Sequence, residues 1–311
     1  MLKRIFALIG IVCLIATIPL WMLSAPRTQD AKSLPDHTGD RMNGERMFWI
    51  GGCSSCHATP GAKGEEKLRL GGGLALKTPF GVFNVPNISP DAETGIGGWS
   101  ALDLVNAMQR GVSPQGRHYY PAFPYTSYVR METSDIIDLK AFLDTLPAVR
   151  NVVADHELAF PYNIRRGLGL WKLAYLNDAP VVDLPQSDAL ALRGRYLVEG
   201  PGHCGECHTP RDFAGGLKPE AWLSGAPNLE GKGVIPNITP HSDGLATWSA
   251  DDIASYLETG FSPDFEVVGG SMRPVQENLA KLDDVDRAAI AAYLKAVPAR
   301  PNGYTRSGPA E

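Results

Sequence analysis

Basic clusters are missing from this chain. No run or patch of Lys and Arg stands out, and the formal net charge is −5. A protein that grips a phosphate backbone carries the opposite balance, so nucleic-acid binding has no support. Charge of either sign is missing from Ile5 to Leu23, directly after Lys3 and Arg4. A secretory signal has a shorter apolar region and a small-residue cleavage site, and the exit Leu23-Ser24-Ala25-Pro26 matches such a site poorly. The run approaches the roughly 20 residues that span a bilayer. It therefore predicts an uncleaved transmembrane helix, with Lys3 and Arg4 in the cytoplasm and the remainder on the periplasmic side of the inner membrane. Cys13 lies inside the run and reads as a small apolar residue of it.

Methionine and cysteine are also few. Past Cys53 the methionines are Met108, Met131 and Met272, and there are five cysteines in all. Glycine and proline are plentiful, 33 and 25, which suits long irregular loops between short helices. Hydrophobic residues make up 44% of the 311 residues, enough for two cores.

Four of the cysteines form two pairs, each followed at once by histidine: Cys53-Ser54-Ser55-Cys56-His57 and Cys204-Gly205-Glu206-Cys207-His208. C-x-x-C-H is the attachment signature of c-type haem. Two residues between the cysteines, on one turn of helix, bring both sulfurs to the two vinyl groups of one porphyrin. The next residue then points its imidazole at the iron. A redox dithiol needs no following histidine. A four-cysteine zinc site would need the pairs far closer than about 150 residues apart. Structural disulfides are poorly served by a two-residue gap. The motifs thus predict two covalently bound haem c groups, attached at Cys53, Cys56, Cys204 and Cys207, with His57 and His208 as iron ligands.

The motifs sit in an internal repeat with an offset of 149 to 151 residues. Val85-Pro86-Asn87-Ile88-Ser89-Pro90 matches Ile235-Pro236-Asn237-Ile238-Thr239-Pro240. Trp99-Ser100 matches Trp248-Ser249, and Gly111-Val112-Ser113-Pro114 matches Gly260-Phe261-Ser262-Pro263. Each copy reads as helical: one helix before the haem motif, a middle helix capped by Ser100 or Ser249 with Asp103 or Asp252 three residues on, and a last helix that ends at Pro147 or Pro298. Ile136, Leu139, Phe142 and Leu143, and likewise Ile290, Tyr293 and Leu294, recur at helical spacing. The expected fold is all-α: two tandem cytochrome c-like domains with long loops, preceded by one N-terminal transmembrane helix. The expected division is 1–34 anchor or signal and linker, 35–150 first domain, 151–185 interdomain strap, 186–300 second domain and 301–311 polar tail. In the strap, Arg165, Arg166 and Lys172 are either donors to haem propionates or ordinary charges of a packed connector.

The arrangement resembles class I cytochrome c. It is more closely similar to the diheme and triheme cytochrome c subunits of bacterial alcohol, gluconate and fructose dehydrogenases. The residues that carry the resemblance are Pro86 to Asp91, Thr94 to Ser100, Tyr120 to Tyr128 and Gly269-Gly270-Ser271-Met272. It implies an electron carrier of a respiratory chain. Its expected partners are redox proteins: a periplasmic or membrane dehydrogenase, an oxidase or a soluble cytochrome. Having two haem motifs rather than three leaves the partner enzyme open.

Methionine or histidine completes a low-spin haem. Met272 lies in a Gly-rich loop before the last helix and matches the family's pattern, so it is the expected sixth ligand of the second haem. In the first repeat Phe123 stands where related triheme proteins often carry methionine. Met131, just before the last helix, is taken there as metal ligand, with His118 as its rival; Met108 reads as core. His203 reads as a solvent-facing loop residue. A diheme enzyme of peroxidase or thiosulfate-oxidising type is the alternative function, and it would need an open distal site; a subunit that only anchors a dehydrogenase is a third.

Overall fold

The structure, a computed structural model, describes residues 17–228 and 233–304. In the first repeat, α1 (Arg41–Ile50) leads into the one-turn α2 (Cys53–His57). A hairpin follows, β1 (Ala75–Thr78) and β2 (Gly81–Asn84), then α3 (Ala101–Arg110), the short α4 (Tyr125–Tyr128) and α5 (Thr133–Leu143). The connector holds β3 (Glu157–Leu158) and α6 (Leu168–Tyr175). The second repeat runs α7 (Ala189–Glu199), α8 (Gly205–His208), β4 (Ala226–Pro227), β5 (Val234–Ile235), α9 (Ala250–Thr259), α10 (Met272–Leu279) and α11 (Asp284–Ala296).

The all-α expectation needs correcting. β1, β2 and β3 form a three-stranded antiparallel sheet, and β4 pairs with β5. These strands have two to four residues each, too few for an alternating pattern to show in sequence. The β1–β2 turn is made by Pro79 and Phe80, and Thr78 Oγ1 closes it by donating to the Gly81 carbonyl at 3.0 Å. The transmembrane expectation is corrected as well. Among the described residues no helix is long and apolar enough to cross a membrane. Residues 17–23 are helical. The rest of the apolar run, with Lys3, Arg4 and Cys13, lies outside the described residues, as does the tail from residue 305.

Each repeat is built on a crossing of its first and last helices, α1 on α5 and α7 on α11. Glycine makes the crossing close. A Cβ on Gly44 would stand 2.0 Å from the Asp138 carbonyl oxygen, and one on Gly194 would stand 1.8 Å from that of Ala289. Apolar side chains flank the contact. Phe48 packs against Phe142 with ring centroids 5.3 Å apart, and Leu197, Val198, Ile290 and Tyr293 are all but fully buried. Each such side chain contributes about 1.5–3 kcal/mol by leaving water. One continuous cluster joins the two repeats, so they share a core.

The middle helices begin with matching capping boxes. Ser100 Oγ accepts from the Asp103 amide at 3.2 Å while Asp103 Oδ2 accepts from the Ser100 amide at 2.8 Å. Ser249 and Asp252 do the same at 3.1 and 2.8 Å. Each helix then ends at a glycine in the left-handed region, Gly111 at φ 58° and Gly260 at φ 76°.

Candidate functional site

The two C-x-x-C-H motifs fold alike. Each makes a single helical turn after the first helix of its repeat. That turn carries the two cysteines and the histidine on a short rigid element. Cys53 and Cys204 are thiols, so neither pair is closed as a disulfide. Burial pushes both thiols up to about 12, which holds them protonated and neutral. Burial likewise lowers His57 and His208 below the ordinary histidine value, so both imidazoles are uncharged, the form that binds a metal.

Their orientation is fixed from behind. His57 Nδ1 lies 2.8 Å from the Pro86 carbonyl, and His208 Nδ1 lies 2.8 Å from that of Pro236. A carbonyl oxygen only accepts, so Nδ1 carries the proton and Nε2 keeps its lone pair. Reading the sequence alone misses both prolines, although the repeated Val-Pro-Asn and Ile-Pro-Asn strings are an available signal. The histidine carbonyls are held too: His57 accepts from the Gly72 amide at 2.8 Å and His208 from the Gly225 amide at 2.7 Å. Gly72 sits at φ 69°, where a Cβ would stand 2.5 Å from Pro86 backbone; no other residue fits that approach.

The proline loops are pinned by one asparagine each. Asn87 Oδ1 accepts from Ser89, and its Nδ2 donates to the Val149 carbonyl at 2.6 Å. Asn237 Oδ1 accepts from Thr239, and its Nδ2 donates to the Arg300 carbonyl at 2.8 Å. The segment after each last helix thus returns to brace the loop behind the histidine. Two thiols and a neutral, backbone-oriented imidazole on one turn are a donor set that fits a covalently attached haem. Among the described residues, no three His, Cys, Asp or Glu side chains gather as a metal-ion site.

The remaining candidates are dispersed. Met272 opens α10, half-buried, and packs against the shared core. Met131 is 4% exposed and belongs to that core; its carbonyl accepts from Gln109 Nε2 at 2.8 Å. Met108 is buried on α3. His118 is buried with both ring nitrogens engaged: Nε2 donates to the Ser24 carbonyl at 2.9 Å, and Nδ1 accepts from Lys172 Nζ at 3.1 Å. His203 is not a solvent-facing loop residue. Its Nε2 donates to the Gly51 carbonyl at 3.1 Å, and its ring meets Tyr128 edge-on at 5.6 Å, so it bridges the repeats. The strap cations bond to the chain itself. Arg165 donates to the His118 carbonyl, Arg166 to Ser24 and Trp21, and Lys172 to the carbonyls of Arg110 and Gly111. These bonds hold the strap against the first repeat and the residues at its N-terminal side.

No motif hinted at a reciprocal clasp between the repeats. Ser54 Oγ donates to Asn278 Oδ1 at 2.9 Å, and Asn278 Nδ2 donates to Ser55 Oγ at 2.7 Å. The first haem motif therefore rests on α10, the helix that Met272 begins. In the opposite sense, Glu206 of the second motif accepts from Thr126 and Ser127 of α4 at 2.7 and 3.0 Å. Its other oxygen takes Arg211 at 2.6 Å. Burial works to raise the Glu206 carboxyl, but Arg211 and the hydroxyl donors outweigh it and hold the group below the ordinary glutamate range.

Residues 42–147 match the cytochrome c family, and the fold with its histidine-bearing turns defines a cytochrome c, the class of protein that binds haem c covalently. A diheme cytochrome c-type protein of Cereibacter sphaeroides is 51% identical over 302 residues, covering 96% of this chain and 99% of that one. A nicotinate dehydrogenase component of Pseudomonas putida is 38% identical over 83% of this chain and 21% of its own. The cytochrome c subunit of the quinone alcohol dehydrogenase of Gluconobacter oxydans is 36% identical over 84% of this chain and 55% of its own. The chain thus spans from a fifth to a little over half the length of these two dehydrogenase proteins. It belongs to the cytochrome c family, beside the diheme cytochrome c-type proteins and the cytochrome subunits of alcohol, fructose and gluconate dehydrogenases.

Proposed function

We propose that this cytochrome carries two haem c groups, one at Cys53-Cys56-His57 and one at Cys204-Cys207-His208, and passes electrons from a dehydrogenase or quinol to a terminal acceptor. The observation that carries the reading is the matched pair of histidine–proline contacts at 2.8 Å, which give both motifs the same oriented imidazole. The bound haems would supply the redox chemistry. The chain's own part is to attach them, orient His57 and His208, and keep water from both sites. The working division is one haem domain at 35–150, a second at 186–300 and the strap at 151–185 between them. Met272 completes the second haem, which raises its potential towards that of an electron acceptor.

Dehydrogenase partners are supported by the names of the relatives, whose cytochrome subunits serve alcohol, fructose and gluconate oxidation. We place the work on the periplasmic side of the inner membrane, which suits Lys3 and Arg4 ahead of an apolar run. The test is a pyridine haemochrome count on the purified holoprotein, followed by reduction with candidate dehydrogenases and their substrates. Two haems per chain, both reduced by a dehydrogenase, support the proposal. One haem or none would overturn it. Met272→Ala is expected to lower the potential of one haem in a redox titration and leave the other in place.

A further inference from the structure

The two repeats match bond for bond along the segment that leads to Met272. The middle helices end at Gly111 and Gly260. Bridges then pair Val112 with His118 and Phe261 with Val267. The next amides return to the helix ends, Tyr119 to the Gly111 carbonyl at 2.7 Å and Val268 to that of Gly260 at 2.8 Å. Four residues further on, with no insertion in either copy, stand Phe123 and Met272. Phenylalanine has no atom that can bind iron.

The other candidates of the first repeat have counterparts that point to packing. Met108 on α3 corresponds to Leu257 on α9, and both are 5% exposed. Met131 and Leu282 each precede the N-cap of the last helix, Glu132 or Asp283. Each donates its amide to the carbonyl three residues back, and they are 4% and 5% exposed. Both methionines therefore fill places that leucine fills in the other copy. His118 corresponds to Val267, and its two ring nitrogens are already bonded. Phe123 itself meets Tyr119 and Tyr128 edge-on, each with centroids 5.6 Å apart. Tyr128 meets His203 edge-on at 5.6 Å, and His203 in turn bonds the Gly51 carbonyl, two residues before Cys53. The aromatic group thus lies beside the first motif.

Resting on the two-haem reading, we infer that the chain gives the first haem no sixth ligand: Phe123 caps the distal side, and the open position accepts a small neutral diatomic such as carbon monoxide or nitric oxide. The first haem then differs in kind from the second. Distal aromatic rings set steric access to the position, one of the features that separate ligand binding from pure electron transfer.

The experiment uses the holoprotein, with two haems first confirmed by pyridine haemochrome, so that a count of one sinks the two-haem reading and not this inference. The ferric protein is examined by EPR, and the dithionite-reduced protein is titrated with carbon monoxide. A high-spin signal from one haem and uptake of a single carbon monoxide per chain are expected. Phe123→Met should abolish both, and Met272→Ala should add a second site. Two low-spin haems with no carbon monoxide uptake in the unmodified protein would overturn the inference, and Met131→Leu and His118→Ala would then show which side chain is the ligand. Uptake unchanged by Phe123→Met in a protein holding both haems would equally overturn the place given to Phe123.

Discussion

Asn237 illustrates how much one side chain can hold. It is 2% exposed, and its amide bonds the proline loop on one side and the Arg300 carbonyl on the other. Alanine there leaves the Thr239 amide without this partner, at a cost of about 1–3 kcal/mol for a buried group left unsatisfied, while the Arg300 carbonyl keeps only its bond from Thr239 Oγ1 at 3.1 Å. The loss also frees Pro236, which orients His208. Asn237→Ala is expected to lower the urea midpoint and to broaden the spectrum of one haem while leaving the other unchanged. At this scale the sequence is most informative where chemistry demands adjacency. Cysteine, cysteine and histidine must share a turn, so their spacing is visible in the string. The proline carbonyls are not visible, because a backbone acceptor leaves no residue type to recognise. Phe123 becomes legible only once backbone hydrogen bonds fix the register between the repeats.

The helix crossings set the next scale. α1 and α5, and α7 and α11, touch through glycine with backbone on backbone. Any side chain at Gly194 must push α11 away, since a Cβ would lie 1.8 Å from the Ala289 oxygen. Overpacking typically costs about 1–3 kcal/mol, and a backbone clash allows little relief. Gly194→Val is expected to lower the melting temperature and the yield of haem-loaded protein, with Gly44→Val acting likewise on the first repeat; an unchanged melt would show the close crossing to be dispensable. Helices, caps and their stop signals can be read from sequence because periodicity and N-cap chemistry are local. The small sheets cannot, since strands of two to four residues carry almost no pattern and owe their pairing to the loops that bring them together. The apolar N-terminal run shows the converse: hydropathy alone predicts a span, while among the described residues no helix is long and apolar enough to cross a membrane, and the end of the run is tied down by Arg166.

At the scale of the molecule, the reciprocal clasp gives the fold a pH signature. Glu206 is held below its ordinary value of 4.5, so the folded state binds its proton less readily than the unfolded chain does. The stability it supplies is complete above that value and is lost as pH falls through the depressed one. Urea midpoints measured against pH should therefore show the native protein ahead of Glu206→Gln near neutrality, with the gap closing in acid below about pH 4. A gap that stays constant with pH would assign the effect to packing instead of charge. Asn278→Ala tests the other half of the clasp and should leave this acid dependence in place.

The clasp also bears on how such a chain can have arisen and how it can be divided. Each motif hydrogen-bonds to a helix of the opposite copy, so neither half keeps all of its own bonds by itself. A gene trimmed to one repeat would leave those polar groups without their partners, and a protease cutting the strap would yield two halves still joined by these bonds. The two modules are thus tied to each other as a single unit.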